Sequence, residues 1–354
     1  MLGINQIPSE VTAMPIVKPV MQGDESLTGG RIVITDCLRG LAALAVCIFH
    51  FTYCEQEWLG SNHWMGLFAY GKLGVEVFFV ISGFVIPFTL YRINYRLSQY
   101  GRFLIKRIMR VAPPYLASIL ITIALGYLLM AVSHSFENRP PVQSVSQLTA
   151  HFLYLNSFFN YEWVNPVYWT LALEFQYYLL IGLCFPLLVD TRKHVWLGTC
   201  LVLCFLGMIP GAVWVFHWLP LFLLGIATFF FRVNRISRLV YLLSLALLGL
   251  LACHVFDITI ALAGLVTASI ITFVDFSSKW LLQLGAISYS LYLVHYPVGR
   301  IVLSTAKHFN SVYPFRWLVV FGTIVFSLFA AWVLYRIIEK PAQAWASRIR
   351  YGNA

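Results

Sequence analysis

Runs of about twenty consecutive apolar residues recur from one end of this sequence to the other, and few folds are open to a chain that carries them. A helix needs about 20 such residues to cross the hydrocarbon core of a bilayer, where its backbone N–H and C=O groups must be satisfied within the segment. With 60% hydrophobic and 11% charged residues over 354 positions, nothing is left over for a separate soluble domain. The fold class read here is an all-α polytopic membrane protein. About ten spans are predicted, at 33–54, 72–91, 111–133, 166–189, 195–210, 211–231, 238–256, 258–275, 280–304 and 315–337. The least distinct breaks are Pro210-Gly211 and Asp257.

The net charge of +10 does not mark a nucleic-acid binder, because Lys and Arg gather between apolar runs rather than on a basic domain. Arg92, Arg96, Arg102, Lys106, Arg107 and Arg110 fill one connection. Alternate connections repeat the pattern with Arg192 and Lys193, with Arg232, Arg235 and Arg238, and with Lys279. The segment 55–64 has no Lys or Arg and 134–165 has only Arg139; the loop with Arg300, Lys307 and Arg316 is the exception. The positive-inside rule then predicts both termini in the cytoplasm. The expected organisation is a flexible cytoplasmic tail over 1–30, a membrane domain over 31–340 and a short basic cytoplasmic tail over 341–354. The seven cysteines show no CxxC or metal-type spacing, so no disulfide framework and no metal site is expected.

Ionisable residues inside spans cost about 2.5–3.5 kcal/mol or more on insertion scales, so each needs a partner or a task. Arg39 and His50 are eleven positions apart, which returns to nearly the same helical face about 16 Å further along. Topology sets Glu76 and Glu174 at a depth similar to His50. One imidazole beside two carboxylates suits a general base with an orienting partner. The competing reading is a structural ion-pair network; the presence of a group that titrates near neutrality favours catalysis. The expected geometry has His50 facing a continuous passage, Arg39 toward the cytoplasm, Glu76 on the imidazole and Glu174 lining an acceptor site. Arg102, Lys106 and Arg110 recur at i, i+4, i+8, a basic face suited equally to the phosphates of one ligand or to anionic lipid.

Five separated strings then resemble the acyltransferase-3 family of membrane-bound acyltransferases. They are Asp36-Cys37-Leu38-Arg39-Gly40 with His50, Gly74 to Phe84 with Glu76, Arg107-Ile108-Met109-Arg110 followed by Pro113 and Tyr115, Tyr168-Trp169-Thr170-Leu171 with Glu174, and Ile287 to His295. The resemblance implies an acyl group taken from cytoplasmic acyl-CoA, acetyl-CoA by default, as co-substrate with no permanently bound cofactor. It implies a carbohydrate hydroxyl as acceptor, on or across the membrane. Arg107 and Arg110 would hold the donor's phosphates, Arg39 would be a further contact, and His50 would be the base. Tyr168, Trp169 and Tyr178 are the candidate acceptor contacts, although the first two serve equally as interface anchors. His295 is read as a structural hydrogen bond near Pro297. A stand-alone form, without the family's fused extracellular hydrolase-like domain, in a bacterial inner membrane is expected. The alternative is a transporter or flippase of a lipid-linked sugar.

Overall fold

A computed structural model describes residues 27–28, 31–60, 64–132, 142, 144–308 and 313–351. Ten long helices succeed one another: α1 (Val33–Phe51), α2 (Gly74–Arg92), α3 (Tyr100–Val132), α4 (Trp169–Leu188), α5 (Lys193–Leu206), α6 (Val215–Arg232), α7 (Arg238–Val255), α8 (Ile258–Phe273), α9 (Lys279–His308) and α10 (Tyr313–Leu334). Seven helical stretches among the described residues are long and apolar enough to cross a membrane, those containing α1, α2, α3, α4, α6, α7 and α10. Helices α5 and α8 are apolar but shorter. Helix α9 is 30 residues long, but Ser288, Tyr289, Ser290, Tyr292 and His295 interrupt its apolar run. The chain is therefore an integral, multi-pass membrane protein. Of the tail expected over 1–30, only Leu27–Thr28 falls within the described residues, paired antiparallel with Arg31–Ile32.

Both indistinct breaks are real. Gly211 sits at φ +120° in the turn between α5 and α6, a conformation that side-chain-bearing residues rarely adopt. Asp257 caps α8, its Oδ1 accepting from the backbone N–H of Thr259 at 2.7 Å and of Ile260 at 3.0 Å. One boundary differs by more than four residues. Helix α3 begins at Tyr100 rather than near 111 and runs through Pro113 and Pro114, so the basic residues expected in a connection are part of the helix itself. The C-terminal basic residues form α11 (Lys340–Arg348), which follows a π-helical turn at Tyr335–Glu339 and buries Ala342 and Ala346. Lys106 Nζ on α3 donates to Ile349 O at 3.4 Å, joining that end of the chain to α3.

Lipid tails are as apolar as leucine, so membrane helices associate through close packing, which small residues permit. A Cβ added to Gly40 on α1 would stand 2.7 Å from Gly285 N, and one added to Gly285 on α9 would stand 2.2 Å from Asp36 O. Helices α2 and α6 make the same kind of approach, Gly83 against Phe222 O and Gly225 against Val80 O. Two buried clusters result. One is built on Phe79, Phe84, Tyr177, Phe222 and Phe229, the other on Phe51, Tyr115, Tyr168 and Leu291. We expect Gly285→Ala to destabilise the purified protein by about 1–3 kcal/mol through overpacking against backbone. Gly322→Ala on α10, where a Cβ meets nothing within 4 Å, should be neutral or slightly stabilising. Thermal melting of both variants checks this.

Candidate active site

Four arginines face one space. Helices α1, α2, α3, α4 and α9 and the C-terminal segment enclose a cavity of about 400 Å³, with Arg39, Arg92, Arg107 and Arg110 in its wall beside Asp36, Glu174 and Glu339. Arg107 and Arg110 are one turn apart on α3. The Arg107 guanidinium lies 5.4 Å from the ring centre of Phe103 and 5.5 Å from that of Tyr178. Arg39, Arg107 and Arg110 make no side-chain hydrogen bond or ion pair among the described residues. Each carries five N–H donors in a fixed fork, an arrangement that matches phosphate oxygens.

The carboxylates of the cavity are, in contrast, engaged. Glu174 Oε1 accepts from Tyr178 Oη at 2.6 Å and from Ser82 Oγ at 3.4 Å. Glu339 Oε2 accepts from Ser290 N at 3.2 Å and Oγ at 2.5 Å, and its Oε1 from Gln343 Nε2 at 2.9 Å. Sequence reasoning missed Glu339 because it lies past 337, where the last span was expected to end. The available signal was an acid directly following Ile337 and Ile338. It sits at the end of the π-helical turn, a feature found often at functional sites.

From the arginines the space narrows. A cavity of about 40 Å³ shares Arg39, Ile81, Ser82, Glu174 and Tyr289 with the larger one and ends at Thr170 and Tyr292. These two close it with a hydrogen bond between their hydroxyls at 2.9 Å. A third, mostly apolar cavity of about 260 Å³ lies on the other side of Glu174, between α3, α4 and the segment Phe152–Tyr154.

Beyond Tyr292 stand two histidines. The Tyr292 ring centre is 6.0 Å from that of His295, which is fully buried. His295 Nε2 lies 3.2 Å from His50 Nδ1, and the His50 nitrogen is also 2.9 Å from Val46 O. His295 Nδ1 lies 3.0 Å from Leu291 O. A carbonyl oxygen only accepts, so these neighbours assign the hydrogen to Nδ1 in both neutral rings. The lone pair of His50 then sits on Nε2, which no described residue engages. Helix packing explains the meeting. Gly40 faces Gly285, and His50 and His295 each lie ten positions further along their helices.

The carboxylate expected on the imidazole is not there. Neither Glu76 nor Glu174 is hydrogen-bonded to His50, and Glu76 Oε2 is buried with no hydrogen-bond partner. A Cβ on Gly74 would stand 2.4 Å from Ala42 O, so α2 begins level with Ala42, eight residues before His50. At 1.5 Å per residue that is a separation of about 12 Å along α1. The short helical turns between Tyr53 and Leu73 take the chain down by that amount before α2 starts. Glu174 lines the passage instead. Tyr178 joins it there, but Tyr168 and Trp169 do not. Tyr168 is fully buried with its hydroxyl 2.7 Å from Ser118 Oγ, and Trp169 packs 5.3 Å from the ring of Trp218.

Pro297 has no N–H to offer the carbonyl of Leu293 four residues earlier. Asn165 Nδ2 supplies the missing donor at 3.0 Å and so pins α9 at the level of His295. Asn165→Leu should leave that carbonyl buried and unpaired, at a cost of about 1–3 kcal/mol in thermal stability of the purified protein. Asn165→Asp, an acceptor where a donor is required, should be no better.

The model of the acyltransferase domain family matches residues 33–336. O-acetyltransferase OatA of Staphylococcus aureus strain NCTC 8325 / PS 47 is 25% identical over 367 aligned residues, which cover 86% of this chain and 56% of the relative. OatA from strains COL and MRSA252 gives the same figures. The chain thus spans little more than half the length of the curated relatives it matches. No solved structure matches it. The family match runs from the start of α1 to the π-helical turn and takes in every residue of the arginine cavity wall named above except Glu339, together with both histidines; this chain belongs to the acyltransferase-3 family.

Proposed function

We propose that the protein is a membrane-bound O-acyltransferase, by preference an O-acetyltransferase, that moves an acyl group from acyl-CoA to a carbohydrate hydroxyl at His50. The observation that carries this reading is the set of three guanidiniums without a hydrogen-bonded partner among the described residues, Arg39, Arg107 and Arg110, around a cavity whose narrow end reaches Tyr292, the ring beside His295. Guanidiniums in a membrane domain that outnumber the acids of their cavity and lack hydrogen-bonded partners favour an anionic ligand, and CoA brings several phosphates on one end of a long, thin arm. The relatives' name, O-acetyltransferase, supports an acetyl group and an oxygen acceptor. An inner membrane is the expected setting, and the distribution of Lys and Arg supports an orientation with the arginine end toward the cytoplasm.

The chain's own groups divide the work. Arg107 and Arg110 hold phosphate, and Arg39 meets the arm where the passage narrows. Tyr178, hydrogen-bonded to Glu174 and stacked on Arg107, steadies that donor side. Displacement of Tyr292 from Thr170 admits the thioester to the histidines. His50 Nε2 takes the proton of the acceptor hydroxyl as the new C–O bond forms. The C–S bond then breaks, and the proton passes from His50 to the departing thiolate. A transport path for a lipid-linked sugar fits less well, since the passage narrows to a cavity of about 40 Å³ that ends at the hydrogen-bonded hydroxyls of Thr170 and Tyr292.

His50→Ala should lower transfer from radiolabelled acetyl-CoA by about 10²–10⁴ while leaving acetyl-CoA binding intact. Arg107→Ala and Arg110→Ala should each weaken binding by about 1.5–3 kcal/mol, an effect that shrinks as salt is raised. Normal acetyl-CoA binding by both arginine variants, with loss of anionic lipid instead, would favour a lipid site. Full turnover by His50→Ala would remove that residue from the chemistry.

A further inference from the structure

We propose that His295 is the positioning residue of this reaction: its Nε2 accepts the Nδ1 hydrogen of His50 and fills the place that a carboxylate usually takes beside a histidine base. The proposal rests on the reading of His50 as the base and extends it to a residue of another helix.

Every polar atom of the pair except one is accounted for. Leu291 O lies 3.0 Å from His295 Nδ1 and leaves the lone pair of that ring on Nε2, 3.2 Å from His50 Nδ1. Val46 O also accepts from His50 Nδ1, at 2.9 Å. It belongs to the same helix, four residues back, where it serves the backbone ladder as well. A contact within α1 cannot set the His50 ring relative to the passage. His295 can, because α9 is itself fixed, by Asn165 on Leu293 O and by Glu339 on Ser290. When His50 takes the acceptor's proton on Nε2, its Nδ1–H becomes the donor of a charge-assisted hydrogen bond to His295. His295 keeps its own hydrogen on Nδ1 and gains none, so the proton that left the hydroxyl remains on His50 for the thiolate. A neutral acceptor stabilises the imidazolium less than a carboxylate would, and that keeps the proton easy to pass on.

The test uses the full chain purified in nanodiscs, with acetyl-CoA as donor. His295→Phe keeps a ring and removes the acceptor, whereas His295→Gln can place Oε1 where Nε2 stood. The Phe variant should lose about 10- to 100-fold in kcat, the usual cost of removing an outer partner of a working histidine. Its KM for acetyl-CoA and its acetyl-CoA binding should not change. The Gln variant should recover most of that loss. The double variant His50→Ala/His295→Phe should be no slower than His50→Ala alone, because a residue that acts through His50 has nothing to add once it is gone. Wild-type kcat for His295→Phe, or losses that multiply in the double variant, would overturn the proposal while leaving His50 as the base. Should the Phe variant fail to fold, His295→Met replaces it, and Met and Gln variants of equal activity would overturn the proposal too. An active His50→Ala defeats the underlying reading instead.

Discussion

The contact on which the site depends is one between backbones. Helices α1 and α9 approach so closely at Gly40 and Gly285 that neither position has room for a methyl group. Dispersion gains little per atom pair, but two helices brought to this distance touch along their length. The consequence is register. Both helices run the same way, so equal steps from the two glycines bring His50 beside His295. Arg39, next to Gly40, is fixed by the same contact in the wall of the arginine cavity, and Tyr289 and Tyr292, beyond Gly285, form its continuation. Gly299 repeats the device higher up, where its Cβ would fall 2.0 Å from the Phe51 ring.

Polar groups inside this framework fall into two kinds. Those that hold the helices are paired with care: Asn165 with the carbonyl that Pro297 releases, Glu339 with Ser290, Tyr289 with Val111 O at 2.9 Å. Each such bond removes a cost of about 1–3 kcal/mol that an orphaned group would impose. The guanidiniums of Arg39, Arg107 and Arg110 are of the second kind: all three line the cavity, and none makes a side-chain hydrogen bond or ion pair among the described residues. Structural economy does not explain three of them in one wall. On the function proposed above, the negative charge of the donor is what they meet.

The spans were readable because a twenty-residue apolar run has one physical use, and Arg39, His50 and Glu174 stood out because charge inside such a run needs a reason; Arg107 and Arg110, placed in a connection, were marked by the family resemblance. Depth was harder to read. Glu76 was placed beside His50 on the premise that a short connection returns the chain at the level where it left. The turns between Tyr53 and Leu73 descend instead along α1, with Gly71 against Ala45 O and Gly74 against Ala42 O. No periodicity records such a descent. Tyr168 and Trp169 carry a motif, but composition cannot distinguish a tyrosine that meets sugar from one whose hydroxyl is bound to Ser118. His295 beside Pro297 had the look of a kink residue. Its relation to His50 exists only in the pairing of α1 with α9, which is a fact about two distant segments.

The unequal volumes along the passage bear on how the proposed reaction would be laid out. All four arginines line the wide part, about 400 Å³, and of them only Arg39 also lines the neck of about 40 Å³. On the reading given above, the phosphate-bearing body of the donor stays with Arg107 and Arg110, and only its slender arm enters the neck. At the far end the Tyr292 hydroxyl meets Thr170 Oγ1 at 2.9 Å and Val167 O at 3.3 Å, and neutral hydrogen bonds of that kind are worth about 0.5–1.5 kcal/mol each, net. Opening is therefore cheap beside the roughly 8 kcal/mol or more by which enzymes lower their barriers. A gate this light yields to the arm of a bound donor and closes when the arm withdraws. On that reading the arm fills the neck while it is in place, and Tyr292 closes it again when the arm withdraws. That is the condition under which a membrane protein can expose a histidine base to one side and collect its acyl groups from the other.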